Sequence, residues 1–154
     1  KQKADISFPE EACLKVFANK FASVIEAPLV IFLEGDLGAG KTAFARALIH
    51  ALGYRERVKS PTYGLLELYQ LEHFQIVHLD LYRIGDPGEL EFLGLEDMID
   101  EQSIVLVEWP DRGAGWLPDA DFIFHFAYAG EGRELRWQAL TETANRLISS
   151  YINT

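Results

Sequence analysis

The chain has 154 residues, enough for one domain with a real core and not for two, so residues 1–154 are read as a single unit. It carries 24 Asp and Glu against 14 Lys and Arg, a net charge of −10, which argues against a protein that grips nucleic acid by its phosphates. One cysteine, Cys13, excludes an internal disulfide and a cysteine zinc cluster. The apolar run from Ala27 to Leu33 is too short to span a bilayer or to serve as an export signal, so no membrane association and a cytoplasmic location are expected.

Taken in chain order, Ser7-Phe8-Pro9-Glu10 has the form of a capping box and predicts a helix start. Leu14, Phe17, Ala18, Phe21, Val24 and Ile25 continue that helix at the right spacing. Leu29 to Leu33 predicts a buried strand. It runs into Gly35-Asp36-Leu37-Gly38-Ala39-Gly40-Lys41-Thr42, which fits the phosphate-loop pattern G-x-x-x-x-G-K-[ST] at every fixed position. Glycines let such a loop curl so that successive N–H groups converge on phosphate oxygens. Lys41 can reach the β- and γ-phosphates, and the Thr42 hydroxyl can ligate Mg²⁺. Ala43 to Leu52 predicts the following helix, with Phe44, Ala47, Leu48 and Ala51 on one face and Gly53 as its stop. Pro61 marks 58–63 as loop or sheet edge. Leu65 to Tyr69 and Phe74 to Asp80 predict two strands joined by a short turn. Asp86-Pro87 predicts a short helix with Pro87 in its first position. Ile104 to Val107 predicts another buried strand, followed by a Gly/Pro-rich loop over 110–118. Asp121 to Tyr128 and Glu134 to Leu140 predict a hairpin around Gly130 and Gly132, and Glu142 to Ile152 a final helix. Strands mixed with helices around a phosphate loop indicate a three-layer α/β domain of the P-loop NTPase type, with hairpins making its sheet mixed parallel and antiparallel.

Hydrolysis or transfer also needs an acid that orients a metal or the attacking group. Ligands of open α/β sheets bind at the C-terminal strand ends. Asp80 and Glu108 each close an apolar strand run and are the two candidates there; a solvated strand-end acid is the alternative for each. Ser60 and Thr62 can offer hydroxyls to the γ-phosphate or to their own turn. His78 alternates with apolar neighbours and reads as a packed residue rather than a catalyst. Trp109 reads equally as core or as a stacking residue beside the site. Arg133 reads first as a surface ion-pair residue and second as a nucleotide contact. A small-molecule kinase would want an Arg-rich lid, and the 110–118 loop has only Arg112. A GTPase would want an Asn-Lys-x-Asp guanine reader late in the chain, and there is none. A binding module that uses nucleotide only as structural glue stays open.

Five stretches in order carry a resemblance: the phosphate loop, Lys59-Ser60-Pro61-Thr62-Tyr63, His78-Leu79-Asp80-Leu81-Tyr82-Arg83, Glu89-Leu90-Glu91-Phe92-Leu93-Gly94-Leu95, and Val107-Glu108-Trp109-Pro110. Together they resemble the TsaE (YjeE) family, small bacterial ATPases of tRNA threonylcarbamoyladenosine synthesis. The resemblance implies binding of ATP with Mg²⁺ and slow hydrolysis by the isolated protein. It implies partnership with TsaB and TsaD, which carry out the threonylcarbamoyl transfer, and contact with tRNA only through that complex. It implies that Asp36, Leu37, Gly38, Ala39, Gly40, Lys41, Thr42 and Ala43 bind the phosphates and that Thr42 and Glu108 ligate the metal. Lys41, Asp80 and Glu108 are implied to serve catalysis, with Asp80 as a catalytic or water-orienting acid. Ser60 and Thr62 are implied to belong to a switch-like loop and Trp109 to stand beside the site. Cys13 and Arg133 are implied to lie in regions that wrap the adenosine half. The chain departs from the family pattern at Ala43 and Gly64, both commonly Thr, and at Cys13, commonly Thr or Ser.

Overall fold

A computed structural model describes residues 3–8, 11–59 and 65–154. Ser60 and Thr62 lie outside the described residues. Seven strands form one sheet: β1 (Lys3–Phe8), β2 (Leu29–Gly35), β3 (Leu66–Gln70), β4 (Gln75–Asp80), β5 (Ser103–Glu108), β6 (Phe122–Ala129) and β7 (Gly132–Ala139). Their order across the sheet is β1-β7-β6-β2-β5-β4-β3. The middle four, β6, β2, β5 and β4, are parallel; β1–β7, β7–β6 and β3–β4 pair antiparallel. The expected mixed α/β sheet is therefore present, with a parallel centre and antiparallel flanks.

The helices are α1 (Glu11–Val24), α2 (Lys41–Ala51), α3 (Glu89–Phe92), α4 (Leu95–Met98) and α5 (Glu142–Ile152). A 3₁₀ turn, Pro110–Gly113, sits in the Gly/Pro-rich loop. Ser7 and Phe8, expected to open a helix, belong instead to β1, which pairs with β7; Pro9 and Glu10, the rest of the expected capping box, lie outside the described residues. Ala4, Ile6 and Phe8 alternate with Lys3, Asp5 and Ser7, a period-2 signal that outcompetes the local cap. The helix expected from Pro87 starts at Glu89 instead. The Asp86 carboxylate accepts from the Gly88 N–H at 3.0 Å, and this local turn occupies the place of a first helical turn. The final helix has the expected bounds. The Thr141 hydroxyl caps it, accepting from the Ala144 N–H at 3.2 Å and donating to Asp121 Oδ1 at 2.7 Å. The other Asp121 oxygen accepts from the Val30 N–H at 2.9 Å, so one carboxylate ties the start of α5 to β2.

The sheet buries both faces. On one, Phe17 and Phe21 of α1 and Phe44 of α2 meet Phe122, Phe124 and Trp137 of the sheet; the Phe44–Phe124 ring centroids are 5.3 Å apart and the Phe124–Trp137 pair 5.9 Å. On the other, Val77, Leu79, Val105 and Val107 pack under Leu90 of α3 and Leu95 of α4. Phe124 is fully buried at the centre of the aromatic cluster. Phe124→Ala leaves a cavity that the surrounding rings cannot close, and should lower stability by about 3–5 kcal/mol, read as a lower urea midpoint.

Candidate active site

The register of the parallel strands sets the site. Leu33 of β2 pairs with Glu108 of β5, and Glu108 pairs with Asp80 of β4, so β5 and β4 end level with each other and β2 runs two residues further, to Gly35. The chain after β2 turns through 36–40 into α2 at the same edge. Gly35 stands at φ +143°, and a Cβ there would fall 2.4 Å from the Phe126 carbonyl oxygen of β6, so the backbones meet too closely for any side chain. Gly40, at φ +120°, is the N-cap of α2. No side chain caps that helix and no acid occupies its first turn, which leaves its leading N–H groups and positive dipole end facing the loop. An 11-residue helix opening this way behind a glycine-rich loop is suited to an anion.

Lys41 is 4% exposed. Its Nζ donates to the Asp36 carbonyl at 3.0 Å and to the Gly35 carbonyl, and lies 4.2 Å from the centre of the Trp109 ring. Burial pulls the Lys41 ammonium below its ordinary pKa, against the opposing pull of Glu108, Asp80 and Asp36. The Thr42 hydroxyl donates to Glu108 Oε1 at 2.7 Å. Glu108 is 2% exposed, and its Oε2 lies 2.7 Å from His78 Nε2. Asp80 is half-buried, and its Oδ1 accepts from the Tyr82 N–H at 3.1 Å. Burial raises the Asp80 pKa above the usual carboxylate value, and the neighbouring Glu108 pushes it the same way. Trp109 is the one non-glycine at positive φ (57°) among the described residues, a left-handed turn where β5 ends. Its ring meets Tyr82 at 5.0 Å between centroids, and the Arg112 guanidinium stands 5.1 Å from the Trp109 ring.

These groups line a cleft of about 190 Å³. Strand, phosphate loop, buried lysine, and a threonine hydrogen-bonded to a strand-end glutamate form a connected arrangement. A family model described as threonylcarbamoyl adenosine biosynthesis protein TsaE matches residues 8–135. The chain belongs to the TsaE family. Over 150 residues it is 39% identical to the tRNA threonylcarbamoyladenosine biosynthesis protein TsaE of Haemophilus influenzae, covering 94% of this chain and 95% of that protein. The Bacillus subtilis protein of the same name is 35% identical over 133 residues, 86% of this chain and 82% of its own. The crystal structure of Bacillus subtilis YdiB superposes with a TM-score of 0.84 at 25% identity, covering 99% of this chain and 95% of that one. The chain thus has the TsaE fold and belongs to a family of threonylcarbamoyladenosine biosynthesis.

Of the residues that the TsaE resemblance implies, Leu37, Gly38, Gly40, Lys41, Thr42, Ala43, Asp80, Glu108 and Trp109 line the cleft. Asp36 is exposed beside it and contributes its carbonyl to Lys41, while Ala39 is buried under the loop. Cys13 is half-buried against the α1–α2 core and does not line the cleft. Arg133 stacks on the Tyr128 ring at 4.1 Å, and the Tyr128 hydroxyl donates to the Leu37 carbonyl at 3.1 Å, so Tyr128 links Arg133 to the phosphate loop. Two contributors were given no role in the site from sequence. Tyr82 lines the cleft, and its signal was its place two residues after Asp80. His78, read as a packed residue, is packed and also bonded to Glu108.

The raised Asp80 pKa makes a stability statement. An unfolded Asp ionises near 3.9, so above that pH the unfolded chain gives up its proton more readily than the folded one, and stability falls as pH rises through the folded value. Asp80→Asn keeps the oxygen that accepts from Tyr82 and removes this cost. It should raise the melting temperature of the nucleotide-free protein at pH 7 by roughly 1–3 °C, a gain that shrinks as the melts are repeated toward pH 4.

Proposed function

We propose that this chain is a Mg²⁺-dependent ATPase that supports a TsaB–TsaD complex in threonylcarbamoyladenosine formation, and that it meets tRNA only through that complex. The observation that carries the reading is the Thr42–Glu108 hydrogen bond at the foot of the phosphate loop, with Lys41 and Asp80 in the same cleft. The residues suit the ligands. Gly35, Gly38 and Gly40 put no side chains on the loop, and the uncapped start of α2 offers N–H groups to phosphate. Thr42 and Glu108 supply one hydroxyl and one carboxylate, the sparse protein ligation that suits Mg²⁺ carried on a nucleotide. Thr42 and Glu108 would hold the metal, which would supply charge neutralisation at the phosphates.

The chain's own side chains divide the remaining work. Lys41 holds the β- and γ-phosphates in place of the two carbonyls it now bonds. Asp80 orients the attacking water from the strand end next to Glu108, with one oxygen fixed by Tyr82. Trp109 covers Lys41 and limits water around it. The net charge of −10 favours docking on a basic protein surface over direct binding to RNA.

Phosphate release from ATP without any acceptor, measured with and without TsaB and TsaD, tests the reading. Release should rise when both partners are present; turnover only with an added acceptor would instead indicate a kinase. Lys41→Ala should abolish nucleotide binding, and Glu108→Ala should raise the Mg²⁺ needed for it. Asp80→Ala should leave binding intact and cut turnover by about 10²-fold, because a water-orienting acid acts in the transition state. Wild-type turnover by Asp80→Ala in the presence of both partners would sink that assignment.

A further inference from the structure

His78 sits in β4 two residues before Asp80, on the same face of the strand, and is 1% exposed. Its Nε2 is 2.7 Å from Glu108 Oε2, while Glu108 Oε1 accepts from Thr42. The two glutamate oxygens are thus divided between β4 on one side and α2 on the other. With Glu108 as an acceptor, the hydrogen on His78 must be at Nε2. Among the described residues His78 Nδ1 is buried with no partner, and the one hydrogen bond of the imidazole there goes to this carboxylate. A buried polar ring held by one bond does not pack better than leucine would. What it does is fix a carboxylate that has rotational freedom about its own side chain.

We propose that His78 is a positioning residue for the metal-binding pair. By holding Glu108 Oε2, it locks the carboxylate so that Oε1 stays on Thr42 and the pair presents one preformed edge to Mg²⁺. Such outer partners of metal ligands are generally worth 10–100-fold in metal affinity. The inference rests on the Mg²⁺–ATP reading and adds a residue to it.

The test is calorimetric titration of ADP into the protein over a series of Mg²⁺ concentrations, together with the same titration in EDTA. His78→Leu removes the donor. His78→Asn keeps a polar group but places its amide at the Nδ1 position, short of Glu108. His78→Gln returns a donor near the Nε2 position. The Mg²⁺ concentration for half-maximal binding should rise about tenfold in His78→Leu and His78→Asn, return most of the way in His78→Gln, and leave binding in EDTA unchanged. In a Glu108→Ala background, His78→Asn should add no further shift, since its effect passes through the carboxylate. Circular dichroism melts identify any variant that fails to fold, and the Asn–Gln comparison stands if Leu does. A wild-type Mg²⁺ midpoint in a folded His78→Asn, equal impairment in Gln and Asn, or an undiminished shift in the Glu108→Ala background each overturns the proposal alone. Nucleotide binding by the wild-type protein that ignores Mg²⁺ overturns the functional reading and this proposal with it.

Discussion

Parallel pairing of β2, β5 and β4, with Leu33, Glu108 and Asp80 in register, brings the C-terminal ends of all three strands to one end of the sheet. Parallel strands need crossovers, so the chain must leave each strand at that end and return elsewhere. The departures after β2, β4 and β5 therefore gather there, and they carry the phosphate loop, the turn through Tyr82, and Trp109. The antiparallel hairpins at the flanks play another part. The β6–β7 hairpin brings the Phe126 carbonyl against Gly35 and Tyr128 against the loop, so it shapes the loop from outside.

Lys41 and Glu108 line the cleft as buried polar groups, and a third, His78, lies behind Glu108. Burying charge is costly unless each group is matched. Here the matching runs in a line from Thr42 through Glu108 to His78, while Lys41 leans on loop carbonyls and on the Trp109 face. Apolar packing on both sides of the sheet holds that line in place. Val107 and Leu79 anchor the strand ends from the α3–α4 side, and Leu33, Leu106 and Phe44 anchor them from the α1–α2 side. A rigid apolar frame around a short polar line keeps rotamers fixed without many hydrogen bonds.

Much of this was legible in the sequence. The strand–loop–helix at 29–51 announces itself because apolar run, glycines and helical spacing agree at every level. Asp80 and Glu108 stood out because each ends an apolar run, and the structure sets them side by side. Less legible were features that depend on a neighbour. β1 is a six-residue strand whose cue competes with a local Ser-x-x-Glu pattern, and only the waiting edge of β7 decides between them. His78 looks like any alternating strand residue; its partner is thirty residues away, and no spacing rule links them. Trp109 gives no sign of its left-handed backbone, a conformation imposed where β5 stops and Pro110 follows. The short α4 begins at Leu95 directly after Gly94, too brief for periodicity to reveal.

Lys41 already spends its hydrogen bonds inside the loop, on the carbonyls of Gly35 and Asp36, with an indole over its ammonium. A phosphate of the proposed nucleotide would not meet a free cation in water; it would have to displace the loop's own oxygens. Binding at this loop would then be an exchange of acceptors, its strength the difference between phosphate and carbonyl as partners for one amine. A site built this way would discriminate by charge, because a neutral acceptor offers Lys41 nothing better than what the loop provides.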